Sequence, residues 1–177
     1  MMVMNEITFK TSFKELDALI DRPLKLLVAG GGALLLGHQM PLSTHDIDAV
    51  PIQSDWTIGQ VDQKAKVVAT KLGIDPQWLN PYFSSFSYVL PKDYINRLVL
   101  VYKGKYLEVL AMGVEDLLIL KCFSGRAKDI SHARFLIRKC KNLKFVEQHL
   151  EEMLKHNIPK AQEALDFFDD VKDSLGK

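Results

Sequence analysis

Apolar residues at Phe13, Leu16, Leu19 and Ile20 repeat at the spacing of one helical face, and "SFKELDALID" predicts a helix with Ser12 as N-cap and Pro23 beyond its end. "LKLLVA" (Leu24 to Ala29) is a short apolar run that stops at glycine and predicts a buried strand. "GGALLLG" starts at glycines, ends at Gly37 and suits a short helix. "HDIDAVPI" alternates and is closed by Pro51, which predicts a second strand. "WTIGQVDQKAKVVATKLG" turns Trp56, Val61, Ala65, Val68, Ala69 and Leu72 to one side and predicts a helix capped by Gly73. "IDPQWLNPYFSS" is broken by Pro76 and Pro81 and reads as a loop with a short helical turn. "NRLVLVYKGKYLEVLA" predicts a hairpin around Lys103-Gly104-Lys105. From Gly113 the pattern is helical to the end. There are no repeats and no low-complexity linker. The pattern predicts an α/β domain over 1–111 and a helical domain over 112–177.

Composition narrows the field only slightly. The 177 residues are enough for one domain with a real core, or for a domain plus a helical extension. A formal net charge of +1 gives no global attraction to nucleic acid or membrane. Cys122 and Cys140 sit in helical apolar patterns, too few for a disulfide framework, and predict buried thiols in a reducing cytoplasm. The N-terminus has no basic segment leading into an apolar core, so no signal peptide is expected. No apolar run reaches membrane-spanning length.

The chemistry concentrates between Val28 and Val50. A dinucleotide fingerprint needs a glycine where Leu35 stands, and a Walker loop needs Lys and Ser or Thr where His38 and Gln39 stand. Glycines at a strand-to-helix junction still let backbone approach a ligand, and the helix start behind them favours phosphate. Asp46 and Asp48, two apart on a strand, would share a face about 7 Å apart, with Ile47 turned into the core. Two such carboxylates favour a hard divalent cation that also binds substrate phosphates.

A glycine turn followed by Asp-x-Asp on the next strand resembles the DNA polymerase β-like nucleotidyltransferase superfamily. "GGGALLLG", "STHDIDAV" and "DPQWLN" together resemble the bacterial DUF6036 nucleotidyltransferase-like proteins, relatives of AbiEii-type toxins. The likeness runs from about Leu24 to Ile137. It implies a nucleotidyltransferase fold: α+β, a small mixed sheet flanked by helices, with a C-terminal helical portion. It implies a third carboxylate on a later strand, for which Glu108 is the candidate, since Leu107 and Val109 take the opposite face. It also implies a helix carrying lysine and then a Lys-Asp pair, met here by Lys121, Arg126, Lys128 and Asp129.

On this resemblance the expected activity is Mg²⁺- or Mn²⁺-dependent transfer of a nucleoside monophosphate from an NTP to an acceptor hydroxyl of RNA (such as tRNA) or protein. Asp46, Asp48 and Glu108 would hold metal, and Glu108 would help to deprotonate the acceptor. Gly30, Gly31 and Gly32 would cradle phosphates with Ser43 and Thr44 nearby. Lys121 would meet phosphate and Asp129 would orient it. A toxin role would add an antitoxin protein as partner. Relatives often carry an arginine ahead of Ser-Thr-x-Asp, where this chain has Pro41 and Leu42; His38 or Lys121 is the candidate substitute. That departure favours a different class, a catalytically inactive member of the fold that acts by binding a protein.

The remaining features are ordinary. The five histidines make no zinc motif, and adjacent Ser131 and His132 are not the geometry of a triad. Arg134, Arg138, Lys139, Lys141 and Lys144 make a basic helix face, read as solvated, with the backbone of an RNA acceptor as the alternative it would meet. Phe167 and Phe168 read as packing residues.

Overall fold

The computed structural model describes residues 4–81 and 87–177. Tyr82 to Ser85 of the predicted loop therefore lie outside the described residues. The chain divides into two units: Met1–Ser84 with Leu98–Met112, and Ser85–Arg97 with Gly113–Lys177. The hairpin thus groups with the N-terminal elements, and residues 87–97 before it group with the C-terminal helices.

The first unit is α+β. It contains α1 (Glu6–Leu19), β1 (Leu24–Ala29), α2 (Gly30–His38), β2 (Ile47–Pro51), α3 (Ile58–Leu72), β3 (Leu79–Asn80), β4 (Val99–Lys103) and β5 (Leu107–Ala111). The mixed sheet has the order β3-β2-β1-β5-β4, with β1–β2 and β4–β5 antiparallel and β1–β5 and β2–β3 parallel. Strand alternation gives its two faces different characters. Leu24, Leu26, Val28, Ile47, Ala49, Leu107, Val109 and Ala111 are all buried on one face. Lys25, Asp48, Val50, Glu108 and Leu110 share the other face and are half-buried.

Helix α2 lies on the apolar face through glycines. A Cβ at Gly32 would fall 2.6 Å from Ile47 Cγ2, and one at Gly37 would fall 2.4 Å from Ala111 Cβ. Only the missing side chains allow that approach. Helix α1 starts earlier than predicted. Asn5 is its N-cap and accepts from the Thr8 amide, while Ser12 is buried inside the helix and donates to the Thr8 carbonyl. A mid-helix serine that bonds back to i−4 imitates a cap in sequence without being one. Asp17, near the end of α1, accepts from the amides of Lys105, Tyr106 and Leu107 and closes the β4–β5 turn. The loop after α3 contains a strand that the pattern does not predict. Trp78 is fully buried, donates from Nε1 to the Ala65 carbonyl and packs against Phe13, and this anchor aligns Leu79 and Asn80 with β2.

The second unit is helical: α4 (Val114–Ser124), α5 (Asp129–Lys139), α6 (Leu143–Lys155) and α7 (Ala161–Ser174). Residues 116–123 of α4 are all buried, and α5, α6 and α7 all contact this helix. A helix enclosed on every side is apolar all round rather than striped. Its charges must therefore be paired, and Asp116 receives Arg97 Nε and Nη2, both at 2.8 Å. Phe168 is core and Phe167 half-buried; Cys122 is buried and Cys140 half-buried, both free thiols. Among the described residues no helix is long and apolar enough to cross a membrane.

Candidate functional site

Strand β1 runs directly into the glycine turn, and each of its three glycines has a different surrounding. Gly30 has φ +58°, and a Cβ there would lie 3.1 Å from Asp48 Oδ2. The left-handed backbone and the close carboxylate both favour glycine at this position. Gly31 is open: its Cβ would meet only Leu42 Cδ1, at 3.9 Å. Gly32 faces the core, where its missing side chain accommodates Ile47 and Val28. Ala29 is the N-cap of α2 and makes no side-chain cap. The first amides of a helix have no intrahelical acceptor, so this start is electropositive, and Gly30 and Gly31 are half-buried there.

The aspartates flank Ile47, which is fully buried as expected. Strand β2 begins at Ile47, so Asp46 is the exposed residue just before it rather than a strand residue. Asp48 is half-buried, paired in register with Ala29 on one side and Asn80 on the other. Asn80 Nδ2 donates to Asp48 Oδ1 at 2.9 Å. Asp46 and Asn80 border a cleft of about 280 Å³ whose other walls include Asp62, Lys66 and Gln77, with Lys66 Nζ 2.7 Å from Asp62 Oδ2. The cleft is small for a whole nucleotide and suits one end of a ligand.

Glu108 is not brought to this pair. Alternation puts it on the Asp48 face, but the register sets it beside Lys25, four residues along β1 from Ala29. With a rise of about 3.3 Å per residue and two strand spacings, it lies roughly 16 Å from Asp48. Its oxygens face Lys25 Nζ at 3.9 Å and Lys103 Nζ at 3.7 Å. The residue level with Asp48 on that side is Met112, whose amide donates to the Val28 carbonyl. Among the described residues no three His, Cys, Asp or Glu side chains are grouped to hold a metal ion.

Other expected ligands are engaged in folding. Thr44 Oγ1 donates to the Asp46 carbonyl at 2.8 Å and shapes the turn, while Ser43 is exposed. His38 Nε2 lies 2.7 Å from the Met112 carbonyl, so that nitrogen carries its proton and the ring is buried. His38 therefore does not stand in for the missing arginine.

Lys121 and Asp129 belong to the second unit and are paired with one another. Lys121 Nζ donates to Asp129 Oδ1 at 2.8 Å, and Ser124 Oγ and Arg126 Nε donate to Oδ2 at 2.8 and 2.9 Å. Asp129 is fully buried and Lys121 nearly so. Burial opposes the ionised form of Asp129, but hydrogen bonds from Arg126 and Lys121, with the Lys121 charge and the Ser124 hydroxyl, outweigh it and hold the carboxyl well below the usual range. Burial, reinforced by the Lys121 charge, lowers the His132 pKa. The Lys121 ammonium, expected to meet phosphate, donates to Asp129, the residue expected to orient it.

Residues 8–171 match the model of the family described as nucleotidyltransferase of unknown function (DUF6036). The chain belongs to the DUF6036 family. No curated protein and no solved structure matches it. The DUF6036 match extends from α1 to α7 and so takes in both the glycine turn and the Lys121–Asp129 pair. In this DUF6036 chain the sequence reading missed Asn80, Asp62 and Lys66. The only local signal for Asn80 was its position two residues after a tryptophan in a Pro-bounded segment, and β pairing of two residues has no periodicity to detect.

The donor set also bears on a cation. Mg²⁺ takes as few as one or two carboxylates from protein when waters and substrate phosphates complete its shell, and Asp46, exposed, and Asp48, half-buried, are the two that would supply them. They do not make the three-carboxylate cluster expected from sequence.

Proposed function

We propose that this chain binds a nucleoside triphosphate together with Mg²⁺ or Mn²⁺ at the Gly30–Gly31 turn and the Asp46–Asp48 pair, and transfers the nucleoside monophosphate to an acceptor hydroxyl. The observation that carries this reading is the Asp48 carboxylate against Gly30, where a Cβ would be 3.1 Å from Oδ2 at the start of α2. Family membership supports the same class.

Asp46 and Asp48 would hold the cation, which when bound would neutralise phosphate charge and orient the α-phosphorus. The amides at the start of α2 would receive phosphate oxygens, with open space at Gly31 for close approach. In the transfer, the acceptor oxygen bonds to the α-phosphorus, its bond to the β-phosphate oxygen breaks, and pyrophosphate leaves with the electron pair. The hydroxyl proton passes to Asp46, the exposed carboxylate of the pair. RNA and protein hydroxyls are the acceptor classes, and the likeness to AbiEii-type toxins extends the proposal to a toxin neutralised by a protein partner.

A second reading is favoured by Glu108: with the third carboxylate tied to Lys25 and Lys103, the chain would bind nucleotide without transferring it and act through a protein partner. Incubation with the four α-labelled NTPs, Mn²⁺ and total RNA or lysate protein separates the two readings. Label carried onto RNA or protein, and lost in Asp48→Asn, supports transfer. Mn²⁺-dependent NTP binding without label transfer supports the second reading. No binding of any NTP overturns both.

A further inference from the structure

We infer that Asn80 is a positioning residue for Asp48, and that β3 exists to present it; this rests on the reading of the Asp46–Asp48 pair as a divalent-cation site. An ionised carboxylate only accepts hydrogen bonds, so the Asn80 amide must turn its nitrogen toward Asp48, and Nδ2 donates to Oδ1 at 2.9 Å. The opposite oxygen, Oδ2, is the one against the Gly30 turn. One oxygen is held from the β3 side while the other is turned to the helix start.

The contact is built by a sequence of anchors. Trp78 is fully buried, its Nε1 donates to the Ala65 carbonyl at 2.9 Å, and its own carbonyl accepts from the Ile47 amide at 2.9 Å. That places Leu79 opposite Ile47 and Asn80 opposite Asp48. Leu79 is buried, whereas Asn80 is half-buried beside the cleft that Asp46 also borders. A two-residue strand adds little to sheet stability. Its effect is to set one amide donor level with one carboxylate, and preorganised supporting hydrogen bonds of this kind keep a cation ligand in its binding rotamer.

The test is calorimetric titration of Mn²⁺, with and without ATP, into full-length wild type, Asn80→Ala and Asn80→Gln, with thermal unfolding of each. Asn80→Ala is expected to weaken Mn²⁺ binding about tenfold, the low end for outer-shell partners of metal ligands. Its melting temperature should stay within about 2 °C of wild type, because the residue is half-buried and Trp78 and Leu79 still anchor the segment. Asn80→Gln, which keeps the amide, should recover most of the affinity. Wild-type affinity in Asn80→Ala overturns the positioning role and leaves the cation site standing. Equal loss in Asn80→Ala and Asn80→Gln also overturns it, since the amide donor is then not what matters. A wild type that binds no Mn²⁺ overturns the cation site and this inference with it.

Discussion

Asp48 and Asp129 are both aspartates that the family resemblance offers as site residues, and their surroundings are opposite. Asp129 is fully buried, and its two oxygens receive Lys121, Ser124 and Arg126. Asp48 is half-buried at a sheet end, beside a left-handed glycine, with Asn80 on one oxygen and a cleft nearby. A buried carboxylate that its own chain has satisfied serves architecture, because any ligand would have to displace good hydrogen bonds. A half-buried carboxylate beside a helix start, two residues after an exposed aspartate, can gain more from a ligand than from the fold.

The largest effect should therefore come from the second unit. Asp129→Ala leaves the Lys121 ammonium buried without its counter-charge and should cost about 3–5 kcal/mol in urea unfolding. Lys121→Met leaves Asp129 with Ser124 and Arg126, and a loss of about 2 kcal/mol is expected, well beyond that of an exposed lysine. A change within about 0.5 kcal/mol for Lys121→Met would return that lysine to the ranks of surface residues.

The same contrast has a pH signature. The native Asp129 carboxyl is held below its unfolded value, so its contribution is fully present above about pH 4 and is lost as pH falls below that. Asp129→Asn should flatten stability on the acid side of pH 4, and an acid limb as steep as that of wild type would show that another group is responsible.

Smaller effects should separate neighbouring glycines. Gly32→Ala pushes a methyl into Ile47 and should cost about 1–3 kcal/mol. Gly31→Ala meets only Leu42 at 3.9 Å inside a helix and should be neutral or stabilising by up to about 1 kcal/mol. If the two variants melt alike, the assignment of Gly32 to packing and Gly31 to open space is wrong. The smallest stability change belongs to Asp46→Asn, within about 0.5 kcal/mol, although it should weaken Mn²⁺ binding at least tenfold.

What was legible in the sequence was mostly local. Strand β1 occupies the residues that its apolar run predicts, Gly73 caps α3 in a left-handed conformation, and the hairpin turns at Gly104. Periodicity also put Glu108 on the face that Asp48 uses. It could not give the level along the strands, because register is a long-range property: Lys25 stands beside Glu108 and Ala29 beside Asp48 only once three strands have paired. The same limit hid Asn80, whose strand is two residues long and is set by the burial of Trp78. A related limit applies at Lys121. The helix pattern shows an apolar neighbourhood but not the buried carboxylate of the next helix that captures the ammonium.

The most direct test of the central claim is one titration: Mn²⁺ with each of ATP, GTP, CTP and UTP into wild type and into the Asp46→Asn, Asp48→Asn double variant, with melting followed on both. The glycine-turn and aspartate-pair site predicts Mn²⁺-dependent binding of at least one nucleotide to wild type, and its loss in a double variant that still unfolds cooperatively. Equal binding by the two proteins would contradict it.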